Sequence, residues 1–275
     1  MAHPDHRTAD RPPGTEFIPK QSAPRVQSSR PIVGLKDEYP AGWVDPPHTH
    51  DRTQLLYACS GVMSAITSHC IYAVPPQRCL WIDAGIAHEV ACRSNVSVRT
   101  LYIDPKLYGD KAIGCRLLDV SPFLQALILE VVEFDTGKPM DERERLITEL
   151  LLHEIWHMPD APWKVAMPQD RRLRHACQLI TENPDSQADL DELAQIACMS
   201  RRAFTRLFRQ ETGTSFGDWR RQMRLSEALS LLESGESVTR TAYEVGYSSP
   251  SAFSAAFHRV FGISPSQYQE PRDRE

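Results

Sequence analysis

The chain has 275 residues, 41% of them hydrophobic and 24% charged, with a formal net charge of −5. That length holds two domains with cores of their own, and the composition is that of an ordinary soluble globular protein rather than a disordered or uniformly basic one. No run of 18 or more apolar residues occurs and no signal-peptide apolar core comes after Met1, so a cytoplasmic protein without a membrane span is expected.

Residues 1–30 are rich in Pro, Arg, Ser and Asp and lack apolar periodicity. They are expected to form a disordered arm, with His3 and His6 facing solvent. From Ile32 to about Asp104 the text is strand-like. Short runs at Gln54–Ala58, Val62–Thr67, Arg78–Ile82 and Val96–Ile103 are separated by Pro, Gly, Asp and Ser turns, which predicts a small all-β barrel or sandwich. Val120–Phe134 and Glu142–Met158 carry apolar residues at helical spacing. Pro159, Pro162 and Pro168 punctuate the next stretch, so 159–170 reads as a linker. From Arg171 to Tyr268 the pattern is helical throughout. The seven cysteines are odd in number and none forms C-x-x-C, so reduced thiols are expected rather than a disulfide framework.

The C-terminal part repeats itself at an offset of 49 residues. Ala203-Phe204, Phe208, Gly213 and Ser215 return as Ala252-Phe253, Phe257, Gly262 and Ser264; Ser200 returns as Ser249, and Trp219 is answered by Tyr268. One supersecondary unit used twice explains such regularity. In each copy a short helix, a turn and a second helix with a serine N-cap read as helix-turn-helix, at about 190–211 and 238–261. Gly217–Leu232 forms an amphipathic helix between them, expected to set their spacing.

Charge is distributed unevenly. Residues 1–170 hold 17 Lys+Arg against 22 Asp+Glu, whereas 171–275 hold 14 of each. Within 200–224, seven arginines (Arg201, Arg202, Arg206, Arg209, Arg220, Arg221 and Arg224) face only Glu211 and Asp218, a basic stripe of the kind phosphates attract. Since the second helix of such a unit enters the major groove, Arg201, Arg202, Thr205, Arg206 and Arg209 are the candidate DNA-binding residues of the first copy. Ser249, Ser251, Ser254, Ala255, His258 and Arg259 are those of the second, which carries far less charge.

The text from Arg171 to Pro271 resembles the DNA-binding domain of AraC/XylS-type regulators. The second copy meets the signature with Gly246, Tyr247, Ser249, Phe253, Phe257, Gly262, Pro265 and Tyr268. This resemblance implies a sequence-specific transcription factor with an N-terminal sensing or dimerising domain. That domain is similar to a cupin: Gly42, His48, His50, Gln54 and Gly61 fit the first cupin motif with Gln in place of the usual Glu. Asp83, Gly85 and His88 fit the second, with Asp in place of Pro and Cys92 in place of Asn. His48 and His50 share a face if they lie on one strand. With His88 and the weaker oxygen ligand Gln54 they form a candidate site for a divalent Zn, Ni, Fe or Cu ion; the alternative is a barrel lining that binds no metal. Trp43, Tyr57, Arg78 and Trp81 are candidate lining for a small-molecule effector pocket, or else core.

His153-Glu154-Ile155-Trp156-His157 spells the H-E-x-x-H of zinc proteases. Met158-Pro159 ends that helix at once and no third-ligand helix comes after it, so the segment reads as a packing or dimer helix.

The expected fold is therefore α+β in two domains. A disordered arm (1–30) precedes a cupin-like β-barrel with following helices (31–158), a linker (159–170) and an all-α domain of two helix-turn-helix units (171–271). The expected function is a DNA-binding transcriptional regulator, activator or repressor, that is not an enzyme. Double-stranded DNA, a small-molecule or metal effector, RNA polymerase and a second copy of the chain are the candidate partners. The alternative is a metal-dependent cupin enzyme with an accessory helical domain, which turnover without DNA would distinguish.

Overall fold

The computed structural model describes residues 29–76, 78–109, 114–161 and 164–270. The arm expected over 1–30 therefore lies outside the described residues, apart from Ser29 and Arg30.

Ten strands build the N-terminal domain: β1 (Ile32–Tyr39), β2 (Val44–His48), β3 (Thr53–Ser60), β4 (Met63–Thr67), β5 (Cys70–Val74), β6 (Arg78–Ile82), β7 (His88–Cys92), β8 (Val96–Ile103), β9 (Cys115–Asp119) and β10 (Val165–Ala166). They form two five-stranded sheets, ordered β1-β8-β3-β6-β9 and β10-β5-β4-β7-β2, with every pair antiparallel. β3 and β8 lie inside their sheet, and Thr53–Ala58 and Thr100–Ile103 are buried on both faces. One face looks into the space between the sheets. The other is covered by α1 (Pro122–Val132) and α2 (Glu142–His157), where Leu55, Tyr57, Trp81 and Leu101 pack against Leu124, Ile128, Val131, Leu151 and Ile155. Local sequence starts both helices. Ser121 caps α1, with Pro122 in the first turn, and Asp141 and Glu144 form a reciprocal capping box on α2.

Among the described residues seven further helices follow: α3 (Arg171–Glu182), α4 (Leu190–Ile196), α5 (Arg201–Thr212), α6 (Phe216–Glu233), α7 (Val238–Glu244), α8 (Pro250–Phe261) and α9 (Pro265–Gln269). The expected linker is shorter than its prolines suggest. Ala161 N–H donates to Leu117 O (2.7 Å), and Val165–Ala166 pair with β5. Ala161 and Val165–Ala166 are thus stitched to the sandwich, because a chain passing over a sheet edge satisfies its N–H and C=O groups there.

The helical domain rests directly on the sandwich. Trp219 Nε1 donates to Ala166 O (2.7 Å), and Gln169 and Arg174 both donate to Ser68 O (2.8 and 3.0 Å). Ile71 and Val165 of the sandwich join the core of α3–α6 around Leu173, Phe204, Phe208 and Trp219.

Candidate functional site

The repeated residues do the same work in both copies. Ser200 and Ser249 are the N-caps of α5 and α8, their hydroxyls accepting from Ala203 N–H and Ala252 N–H. Phe204 and Phe208, like Phe253 and Phe257, are wholly buried. Gly213 and Gly262 end the two helices at φ 74° and 75°, the left-handed C-cap that a side chain disfavours. Ser215 and Ser264 then cap α6 and α9. Trp219 meets Phe208 at 5.9 Å, and Tyr268 meets Phe257 at 5.8 Å. Two helix-turn-helix units are thus present, α4–α5 and α7–α8.

With the phenylalanines turned inward, the helical period turns the predicted readers outward. Arg201, Arg202, Thr205, Arg206 and Arg209 are exposed on α5. Ser251, Ala255, His258 and Arg259 are exposed on α8, with Ser249 and Ser254 half-buried. Arg201 pairs with Asp191 of α4 (2.8 Å), and Thr205 Oγ1 donates back to Arg201 O. Among the described residues, Arg202, Arg206 and Arg209 are paired with no acid.

The basic stripe is narrower than its sequence. Arg220 and Arg224 are half-buried, donating to backbone carbonyls of the 184–188 loop, and Arg221 pairs with Asp218 (2.8 Å). The α6 arginines serve the protein, which leaves α5 as the basic surface.

The second constellation lies between the sheets. His48 ends β2 opposite His88 of β7, His50 comes just after β2, and Gln54 sits on β3 in the facing sheet. β2 is an edge strand, so it accepts Pro46 and Pro47, and its bulge between Asp45 and His48 turns the histidine inward. Each imidazole is held the same way: Nδ1 of His48, His50 and His88 donates to the carbonyls of Pro46 (2.8 Å), Arg52 (2.7 Å) and Ile86 (2.9 Å). In neutral rings this leaves the Nε2 lone pairs free to bind. Those of His50 and His88 converge on the Gln54 carboxamide at 3.0 and 2.9 Å. Burial, and after it the neighbouring His48 and His50, lowers the His88 pKa to about 4, so at neutral pH this ring is unprotonated. Two lone pairs facing one amide oxygen repel. The contact becomes favourable with a cation among the donors, or with the amide turned so that its N–H groups face the rings.

Among the described residues, His48, His50 and His88 are the one group of three His, Cys, Asp or Glu whose ligand atoms lie within 4.8 Å of one another. Tyr102 completes the wall and was missed in the sequence. It pairs with Gln54 across β3–β8, receives its amide N–H at 3.4 Å and meets the His50 ring edge-on at 5.4 Å.

The four predicted effector-pocket residues do not come together. Gln54 faces the space between the sheets, so Tyr57, three positions on, faces the other way. Trp81 pairs with Leu55 across β3–β6 and accompanies it into the core under α1 and α2. Trp43 stacks on Tyr39 at 3.9 Å. Arg78 pairs with Asp119 (3.1 Å) and lies 5.8 Å over the Phe261 ring of α8, beside a cleft of about 330 Å³ that Arg221, Gln222 and Leu225 of α6 also line. Tyr57 and Trp81 are therefore core, and Arg78 is a contact between domains. His153 and His157 lie on the exposed side of α2, their rings stacked at 4.1 Å, beside exposed Leu146 and Leu150.

Comparison with known proteins covers both halves. The AraC-like ligand binding domain family matches residues 32–216, and the helix-turn-helix domain family matches 193–271. The regulator NimR of Escherichia coli is 29% identical over 223 residues, covering 81% of each chain. An HTH-type transcriptional regulator of Haemophilus influenzae is 40% identical over 155 residues, 55% of this chain and 52% of that one. The arabinose operon regulatory protein of Escherichia coli is 36% identical over 126 residues, 45% of this chain and 42% of that one.

Proposed function

The chain belongs to the AraC-type family of transcriptional regulators, and from that premise we propose how its two halves divide the work. The α4–α5 and α7–α8 units bind neighbouring major-groove segments of one duplex. On α5, Arg202, Arg206 and Arg209 supply charge for phosphates and guanine edges. On α8, Ser251, Ser254, Ala255 and His258 make shorter, mostly uncharged contacts.

The observation that carries this reading is the duplicated scaffold, in which the caps, the paired core phenylalanines and the terminal glycine recur while the outward residues of α5 and α8 differ. Selection of bound duplexes from a random library tests it. The expected product is a bipartite site whose footprint covers two adjacent half-sites per chain; recovery of no preferred sequence overturns it.

The sandwich is the sensing half. His48, His50 and His88, with Gln54 as an oxygen donor, hold a divalent ion of the Zn, Ni, Fe or Cu group, which as a Lewis acid would join the imidazole lone pairs and the amide oxygen in one site. The three carbonyl-anchored Nδ1 atoms support this reading, because they orient the Nε2 lone pairs without help from the ion. Elemental analysis after incubation with each metal tests it. Stoichiometric metal that is lost in His88→Ala is expected; no metal retained from any of the four overturns it in favour of the turned amide.

The relatives carry regulators' names, which supports a non-catalytic protein, and substrate turnover in the absence of DNA would contradict this. No described helix is long and apolar enough to cross a membrane, which accords with work in the cytoplasm. A second copy of the chain covers the α1–α2 face, where Phe123, Leu146 and Leu150 are exposed; sedimentation of Leu146→Glu against the parent chain checks that association.

A further inference from the structure

Two readers on one chain select DNA by the spacing and rotation between them as well as by their base contacts. A turn of B-DNA is about 10–10.5 base pairs, so reader orientation must match groove phase. α6 joins the readers, but a helix alone fixes only the distance and angle between its own residues. The rotation of each reader about α6 depends on side chains that grip it.

Arg224, in the middle of α6, touches a flank of both. Its Nε donates to Pro184 O (3.2 Å) and its Nη2 to Ser186 O (3.1 Å). These carbonyls belong to the irregular segment between α3 and α4, immediately ahead of the first reader. One turn earlier on the same helix, Arg220 Nη2 donates to Ala188 O (2.5 Å), and its guanidinium lies 5.0 Å over the Phe216 ring. On its other side, Arg224 fills the space beside Gly246, in the turn between α7 and α8. A Cβ on Gly246 would come within 2.7 Å of Arg224 Nη2 and 2.8 Å of Cζ. The residue that ties down the entry to the first reader is thus the one against which the turn of the second is seated.

A planar guanidinium suits this post. Its divergent N–H groups satisfy two carbonyls of an irregular loop at once, which a lysine ammonium does not do with the same geometry. The carbonyls need such donors because no helix or strand partner serves them.

We propose that Arg224, assisted by Arg220, is a positioning residue that locks the relative orientation of the two readers and so sets the half-site spacing the protein accepts. It acts through the protein and not through phosphate. The inference rests on the two-reader function proposed for the helical domain.

The test uses the full chain and the bipartite duplex obtained by selection, with one to five base pairs inserted between its halves. The parent protein is expected to bind the original spacing best and to lose most affinity at about a half-turn insertion. Arg224→Ala and Arg224→Lys are expected to lose about tenfold at the original spacing, the scale of one hydrogen bond to a charged group, and to lose most of their discrimination between spacings. Gly246→Ala keeps Arg224 but displaces it and strains a turn held at φ 81°, and should flatten the profile in the same way. Arg206→Ala, a DNA-contact change, should weaken every spacing while keeping the ratios. A parent protein that selects spacing, with unchanged ratios in folded Arg224→Lys and Gly246→Ala, overturns the inference alone. A parent protein indifferent to spacing overturns the two-reader reading and this inference with it. If Arg224→Ala fails to fold, Arg224→Lys and Gly246→Ala decide.

Discussion

The two readers are one scaffold with two faces. From Ser200 to Trp219 and from Ser249 to Tyr268, the chain repeats the residues that cap, fill and end a helix. It changes nearly every residue that points outward. Physical constraint explains the division. A buried phenylalanine, a hydroxyl over an N-terminus and a glycine at positive φ each have few substitutes, whereas the exposed face answers only to the DNA it meets. The first copy presents an arginine-rich face and the second a face of serine, alanine and histidine. The first is therefore expected to supply most of the electrostatic affinity, and the second to add shape and short-range contacts.

That contrast can be broken at its core. Phe208→Ala and Phe257→Ala remove wholly buried rings and should each cost about 3–5 kcal/mol of stability in denaturant unfolding. Equal costs would confirm that the copies are structural equivalents; a loss of under about 1 kcal/mol in either would deny it.

A fall in pH acts on the sandwich that both readers share. His88 has a folded-state pKa of about 4 against an ordinary value of 6.5, so the unfolded chain takes up the proton first. Metal-free protein should keep the full contribution of this group above about pH 6.5 and lose it progressively toward pH 4, by about 3 kcal/mol. Urea unfolding at stepped pH measures it, and His88→Gln should flatten the slope.

On the surface the copies should part company. Arg206→Ala is expected to cost about 1–3 kcal/mol of DNA binding, with specificity relaxed at one base pair. Ser254→Ala on the second reader should cost less and change the salt slope little. Titration against the selected duplex at several salt concentrations separates the two, and an equal salt response in both variants would contradict the division of labour. The smallest effects belong to the caps. Ser200→Ala and Ser249→Ala should each remove about 1 kcal/mol of stability, and a matched pair of values sharpens the equivalence.

Local rules made both readers legible in the sequence. Serine caps, terminal glycines and a 3.6-residue apolar period are written within a dozen residues of where they act, so both readers and α6 could be placed within a few residues. His48, His50, Gln54 and His88 were legible as a spaced set because their spacing resembles the two cupin motifs, although only the pairing of β2 with β7 brings His48 to His88. Partners far apart in the chain defeated the same reasoning. Arg220 and Arg224 looked like part of a phosphate-binding stripe, since the carbonyls they serve lie more than 30 residues away. For Tyr57 and Trp81 the sequence leaves pocket and core both open; strand parity from Gln54 sends Tyr57 to the opposite face, and cross-strand pairing with Leu55 sends Trp81 after it into the core. The segment 159–170 read as a linker because two residues of β10 among prolines leave no periodic signal.

The most direct measurement is the footprint of the full chain on a duplex selected from random sequence, analysed at known protein-to-DNA stoichiometry. Protection of two adjacent major-groove segments by one chain, the first weakened by Arg206→Ala and the second by Ser254→Ala, is the result expected here. Protection of a single segment, or of two that respond alike to both changes, would contradict it.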